Sequence, residues 1–143
     1  MIILRFFKEL AIYVTIVVTV VWGIPAALSY FLHTEYPIAA VTSSSMWPAL
    51  SAGDLVVIEG APKESLSVGD IIVWRHDGGF TIHRIVELND STLVTKGDAN
   101  FPKDNPIKYD DVIGKTVTMR GKPLRIPYLG KIGSIGQGLR NIL

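Results

Sequence analysis

The sequence contains no cysteine. That absence excludes disulfides, thiolate zinc sites and a cysteine nucleophile. Histidine is nearly as scarce, with only His33, His76 and His83 present. None of them stands in a His-Glu-x-x-His pair or at another close ligand spacing, which argues against a metalloenzyme. No cofactor is expected. A surplus of either charge is also missing, with 14 Lys plus Arg against 13 Asp plus Glu. Without a basic excess there is no electrostatic case for nucleic acid as a partner. No internal repeat or low-complexity tract is found, and 143 residues suffice for one small domain plus an accessory segment.

The chain does have one long uncharged run. Ala11 to Leu32 reads AIYVTIVVTVVWGIPAALSYFL, 22 residues. At about 1.5 Å per residue this is enough to cross a hydrocarbon core of roughly 30 Å. A cleavable leader would have a shorter apolar core of about 7–15 residues ending at a small-x-small site. Pro25-Ala26-Ala27 matches that only faintly, and the run continues past it. A buried core helix is rarely apolar all round for this length. Pro25 can kink a membrane helix without preventing it. Trp22 lies inside the run, and Tyr30 and Tyr36 suit the far interface. Arg5 and Lys8 precede the span and Glu35 follows it, so the N-terminus is expected in the cytoplasm and the rest outside. The resulting division is a cytoplasmic N-terminus (1–9), a transmembrane anchor (10–32), an outer domain (33–129) and a Gly-rich tail (130–143). Four glycines in the tail argue against a stable helix, leaving a frayed terminus or a segment lying on the membrane surface.

Beyond the anchor the pattern changes to short runs rich in Val, Ile and Thr between turn residues. They cover 54–60, 70–76, 80–88, 91–97 and 112–120. This spacing predicts antiparallel strands with little helix, so the fold class is mainly β: a transmembrane helix followed by a small antiparallel β-rich domain. A turn at Gly78-Gly79 would pair His76 with Thr81 and Trp74 with His83. Ile72, Trp74, His83 and Ile85 then share one face.

Three segments carry candidate chemistry. VTSSSMWPAL (41–50) puts three hydroxyls just beyond the anchor, beside the apolar pair Met46-Trp47. A serine run is ordinarily a loop or a cap, but a serine with a base nearby becomes a nucleophile. Without a thiol, histidine is the obvious base. His33 lies too near the anchor and His76 beside a turn, whereas His83 is mid-strand, where the scaffold can fix its ring. A third group that orients the imidazole would complete a triad. It could come from TKGDANFPKDN (95–105), a loop that holds Asp98 and Asp104. Asp98 after Gly97 suits a turn in which the carboxylate bonds its own backbone. Asp104 follows the rigid Pro102, which would project the chain outward, so Asp104 is expected to contact His83 and Asp98 to shape the loop.

Ser43-Ser44-Ser45-Met46-Trp47-Pro48 resembles the serine box of type I signal peptidases, Ser-x-Ser-Met-x-Pro. Ile82-His83-Arg84-Ile85-Val86 resembles their His-Arg-Ile/Val box. Lys96-Gly97-Asp98-Ala99-Asn100, followed by Asp104, resembles their Lys-Gly-Asp-x-Asn…Asp box. Order and spacing agree over about residues 10 to 120. His83, where the common bacterial enzymes have lysine, indicates the archaeal and endoplasmic-reticulum branch. Ser44 departs from the glycine often found there.

The resemblance implies a serine endopeptidase acting on signal-peptide-bearing preproteins, with small residues at the first and third positions before the cut. It implies Ser45 as nucleophile, His83 as base, and Asp104 and Asp98 as orienting or bracing groups. The Ser43 hydroxyl and the Ser45 N–H would serve the oxyanion, and Met46 the substrate site. Met46 and Trp47 are also expected to dip into the membrane surface. Partners are the lipid bilayer and a translocation channel or accessory subunits. The expected location is the cell membrane, or the endoplasmic-reticulum membrane in a eukaryote, with a single pass and the site on the external or lumenal face. Two rival readings are a tethered β-domain that only binds, and a Ser/Lys peptidase of the same fold using Lys96 or Lys63.

The charge asymmetry around the span makes a direct prediction. Protease added to sealed vesicles that hold the protein in its natural orientation should digest the domain after residue 33 from the external or lumenal side. Digestion from the cytoplasmic side only would reverse the orientation.

Overall fold

The computed structural model describes residues 2–129. The expected Gly-rich tail, 130–143, lies outside the described residues. A helix opens the chain, α1 (Ile2–Val18), and continues through a π turn (Thr19–Gly23) into α2 (Ile24–Leu32). Pro25 explains the π turn. Its ring cannot fit against the carbonyl one α-turn back, and it has no N–H to donate. The wider turn relieves this, and the Ile24 N–H bonds to Thr19 O, five residues back. The apolar stretch Arg5–Leu32 has 28 residues and none of its most apolar window is covered by protein. At about 1.5 Å per residue it reaches about 42 Å, longer than a hydrocarbon core of roughly 30 Å. Its exposed faces carry Phe, Val, Ile and Trp22, a surface suited to lipid.

The helix ends at His33, whose φ of 52° is left-handed. Two of its last carbonyls are partnered. Ser29 O accepts from the Thr34 N–H at 3.3 Å, and Leu32 O accepts from the Gly60 N–H at 2.7 Å. Gly60 must be glycine there, because a Cβ would lie 2.0 Å from His33 O. The helix terminus is thereby pinned to the domain that follows.

That domain is antiparallel β. Its strands are β1 (Ile38–Ala40), β2 (Leu55–Glu59), β3 (Ile71–His76), β4 (Gly79–Leu88), β5 (Thr92–Lys96), β6 (Ile107–Lys108), β7 (Val112–Thr116), β8 (Thr118–Met119), β9 (Lys122–Pro123) and β10 (Arg125–Ile126). The main sheet runs in the order β1-β2-β7-β3-β4-β5-β6, with β10 also on β2, and β8-β9 form a small hairpin. The five longer strands fall on the Val/Ile/Thr runs, except that the run 112–120 breaks into β7 and the short β8, which belongs to the separate hairpin. The other short strands escape the sequence reading because two or three residues carry no period. Single turns of 3₁₀-helix at Lys63–Ser65 and Tyr109–Asp111 are the helical elements between β1 and Leu129.

The central strand β3 buries three successive residues, Ile71, Ile72 and Val73. Successive side chains point to opposite faces, so β3 serves two cores. Ile71 and Val73 pack with Val41, Met46, Leu50, Val56 and Ile58. Ile72 packs with Leu66, Ile85, Leu93 and Ile107.

The β3–β4 register differs from expectation. His76 pairs with Gly79, Trp74 with Thr81 and Ile72 with His83. The two-residue turn is Asp77-Gly78, a favoured hairpin pair, and the His76 ring accepts from the Gly78 N–H at 3.0 Å. Relative to the Gly78-Gly79 turn, the slip is two residues. An even slip preserves facing, so Ile72, Trp74, His83 and Ile85 still share a face.

Asp54 ties the last strand to the sheet. Its nearly buried carboxylate accepts from the Arg125 guanidinium at 2.6 Å and from the Ser51 N–H at 2.9 Å. Burial pushes this carboxyl up, but the Ser51 N–H, Arg125 and the Tyr128 backbone together hold it below its ordinary 3.8. A carboxyl that is more acidic folded than unfolded contributes stability above about pH 4, and loses it as pH falls through the folded value. Arg125→Ala should therefore cost about 1–3 kcal/mol near pH 7. Thermal melts should show the gap to wild type narrowing below about pH 4. A gap that is absent, or constant down to pH 3, would contradict this.

Candidate active site

The Ser45 loop is anchored by its neighbour. Met46 is 1% exposed and packs in the first core. Its carbonyl accepts from the Leu50 N–H, and Ser44 O accepts from the Trp47 N–H. Ser45 is thus fixed at the edge of the core with its side chain turned outward. The burial corrects one expectation: Met46 cannot dip into a membrane, because it fills the core beneath the loop. Trp47, 62% exposed, carries the loop's apolar surface alone.

His83 lies mid-β4, 7% exposed. Its Nε2 is 3.1 Å from Ser45 Oγ, and its Nδ1 is 2.6 Å from Asp104 Oδ2. With Asp104 ionised, Nδ1 carries the proton and donates, which leaves Nε2 to accept from the serine hydroxyl. Ser43 Oγ lies 3.0 Å from Ser45 Oγ. The Ser45 N–H reaches Ser43 Oγ only at 3.5 Å, a weak bond that leaves this donor nearly free.

Asp98 sits elsewhere. Instead of bonding its own backbone, its carboxylate takes Arg84 Nε at 2.8 Å and Nη2 at 2.7 Å. Arg84 Nη1 also donates to Gly69 O at 2.7 Å. The hydrogen-bonded Asp98 carboxylate raises the guanidinium further above its ordinary value, against the opposing pull of burial. Neighbours on a strand face opposite ways. His83 therefore turns to Ser45 and Asp104, while Arg84 clamps the loop from the other side. A two-pronged guanidinium contact of this kind suits a carboxylate and holds its orientation.

Two further residues shape the site through contacts that the sequence reading does not assign. Thr95 is wholly buried, and its hydroxyl donates to Asp104 Oδ2 at 2.6 Å. The available signal was a hydroxyl one period after Leu93, on the same face of the strand. Gly97 lets the loop approach. A Cβ on it would meet Ser45 O at 2.8 Å, and that carbonyl accepts from the Ala99 N–H at 2.8 Å.

The other histidines lie away from Ser45. His33 caps the helix, and His76 sits in the hairpin with Nε2 3.1 Å from Thr81 Oγ1. Lys63 donates to Asp90 O and lies over the Tyr109 ring. Lys96 is beside Arg84 in the β4–β5 ladder. The side-chain partners of Ser45 Oγ are Ser43 and His83.

Ser45 and His83 end a cleft of about 750 Å³, walled by β1 and the start of β4 and floored by Met46, Ile58, Val73, Ile82 and Ile113. At its other end the Tyr36 and Phe80 rings stand 5.1 Å apart. Among the described residues no backbone ladder pairs the outer edge of β1 or of residues 79–83, since β4 meets β5 only from Arg84. A serine, a histidine and an aspartate hydrogen-bonded in series beside such a cleft form a serine-peptidase type of arrangement.

Comparison with known proteins agrees with this class. The Peptidase S24-like family matches residues 24–118. The chain is 30% identical over 114 residues to the human signal peptidase complex catalytic subunit SEC11C, which covers 69% of this chain and 56% of that protein. It is 34% identical over 122 residues to the SEC11 subunit of Lachancea thermotolerans, covering 73% of this chain and 68% of that one. It is 35% identical over 83 residues to the Yarrowia lipolytica SEC11 subunit, covering 54% and 48%. The chain spans about half the length of the mammalian relatives it matches. It belongs to the Peptidase S24-like family and, within it, is a type I signal-peptidase-like protein of the archaeal and endoplasmic-reticulum kind.

The close approach at Gly97 is testable. The Asn100 amide can swing away from an added Cβ, but the Ser45 carbonyl cannot move without carrying Ser45 with it. Gly97→Ala should lower stability by about 1–3 kcal/mol in thermal melts. Unchanged melting would mean that the loop relaxes freely.

Proposed function

We propose that the chain is a membrane-bound serine endopeptidase that removes N-terminal signal peptides from exported preproteins. The observation that supports this best is the continuous hydrogen-bonded series from Ser45 Oγ through His83 to Asp104 at the end of an open cleft. Ser45 Oγ attacks the scissile carbonyl carbon while His83 Nε2 takes its proton. The carbonyl oxygen becomes an oxyanion beside the weakly engaged Ser45 N–H and the Ser43 hydroxyl. The C–N bond then breaks as His83 returns the proton to the leaving amine. Water, deprotonated by the same nitrogen, releases the signal peptide from Ser45. Asp104 holds the tautomer in which Nε2 is free to accept.

The substrate is an extended segment. The unpaired edges of β1 and residues 79–83 offer backbone donors and acceptors on both sides of the cleft, which suits strand addition. Shallow pockets over Ala39, Ala40 and Met46 suit small side chains before the cut. Tyr36 lies four residues beyond Leu32, so the Tyr36–Phe80 mouth opens close to the bilayer from which the signal peptide emerges. The helix spans the membrane with its N-terminus cytoplasmic, and the site works on the external or lumenal face. Because relatives are catalytic subunits of a signal peptidase complex, accessory subunits or a translocation channel are the partners to look for.

The test is cleavage of a labelled preprotein by the detergent-solubilised protein. Ser45→Ala and His83→Ala should abolish it with folding intact, whereas Lys96→Ala should retain it. Asp104→Asn should lower kcat by up to about 10⁴, because an amide can hold the wrong tautomer. Asp98→Asn should lose less activity and more melting temperature, since it weakens the Arg84 clamp. Wild-type cleavage by Ser45→Ala would refute the proposal, and greater loss in Asp98→Asn than in Asp104→Asn would exchange the two roles.

A further inference from the structure

Asp104 stands on the loop after β5, and loop carboxylates rotate unless held. Two donors converge on its Oδ2, the His83 ring at 2.6 Å and the Thr95 hydroxyl at 2.6 Å. The backbone repeats the link, since the Asp104 N–H donates to Thr95 O at 2.8 Å. Thr95 itself is enclosed. It is 0% exposed, stands fourth of the five residues of β5, and pairs in register with Ile85, two residues from His83 on the same face.

A hydroxyl in that place needs a reason. Its surroundings include Ile85 and Leu93, both wholly buried, and valine would fill nearly the same volume without a polar group to desolvate. Placing an O–H there is costly unless it bonds. Its one side-chain bond goes to the carboxylate that touches His83.

We propose that Thr95 is a positioning residue of the proposed peptidase site. From a rigid strand it fixes the Asp104 carboxylate so that Oδ2 stays at hydrogen-bond distance from His83 Nδ1. The chain of control then runs from Thr95 to Asp104 to His83 to Ser45. Thr95 touches neither substrate nor reacting atoms, so its effect passes only through Asp104. This inference rests on the reading of the site as a peptidase.

The experiment uses the full chain in detergent micelles, with Thr95→Val and Thr95→Ser in wild-type and Asp104→Ala backgrounds. On a labelled preprotein, Thr95→Val should lower kcat on the order of 10-fold, near the lower end of what a hydrogen bond to a charged group is worth. KM should be unchanged, and Thr95→Ser should restore kcat. Asp104→Ala alone should be slow, and adding Thr95→Val to it should change nothing more, because the bond's acceptor is already gone. A wild-type kcat in Thr95→Val, or an equal further loss in the Asp104→Ala background, would overturn the proposal.

A second readout is independent of turnover. Proton NMR should show a downfield imidazole N–H resonance, assigned by its loss in His83→Ala. Thr95→Val should broaden or remove it, and Thr95→Ser should restore it. A resonance indifferent to Thr95→Val would overturn the positioning role even if kcat fell. If the wild type cut no preprotein while the resonance still answered to Thr95, the peptidase reading would fail and the positioning link would stand.

Discussion

One backbone hydrogen bond joins the two halves of the site: the Ala99 N–H to Ser45 O, 2.8 Å. The serine comes from a loop before β2, and Asp104 from a loop after β5. Nothing in the main sheet's ladder requires those loops to meet. They meet because Gly97 has no side chain to hold them apart and because each is secured from behind. Met46 is sunk in the first core under the serine loop, and Arg84 grips Asp98 on the far side of the other. A single such bond contributes about 0.5–1.5 kcal/mol. It decides the geometry only because core packing and the Arg84 clamp have already brought its partners within reach.

The alternation of β4 makes this possible with two adjacent residues. His83 turns to Ser45 and Asp104, and Arg84 turns the other way to Asp98. The pair His-Arg is thus one catalytic candidate and one brace, separated by the pleat of the strand. It also explains why the two aspartates, alike in chemistry, part company. Asp98 has a rigid cation to neutralise it, while Asp104 has an imidazole and a buried hydroxyl.

A second constraint acts at the membrane end. The long apolar helix is uncovered by protein, while the β-domain carries its own two cores. The two parts suit different surroundings, yet the joint between them is not a loose tether. The Gly60 N–H caps the Leu32 carbonyl, and Pro37 O accepts from the Ile58 N–H on the strand that leads to Gly60. The helix end, β1 and the mouth of the cleft are therefore built on one stretch of chain.

Much of this was legible in the residues. The uncharged run from Ala11 to Leu32 announces a helix fit for lipid, because length and apolarity are local properties. The five Val/Ile/Thr runs announce strands for the same reason. The chemistry of Ser45, His83 and Asp104, and the resemblance of their segments to type I signal peptidases, pointed to which side chains could meet. The sequence could not give the β3–β4 register, since Asp77-Gly78 and Gly78-Gly79 are both good turns and only packing chooses between them. Nor could it bury Met46, which beside Trp47 reads as an exposed apolar pair until the core beneath is known. Arg84 as the partner of Asp98, Thr95 as the partner of Asp104 and the need for Gly97 are contacts between segments remote in sequence. Patterns along a chain report each residue's own preference. Which preference is satisfied, and by which partner, is decided only when the sheet has brought distant residues within hydrogen-bond distance.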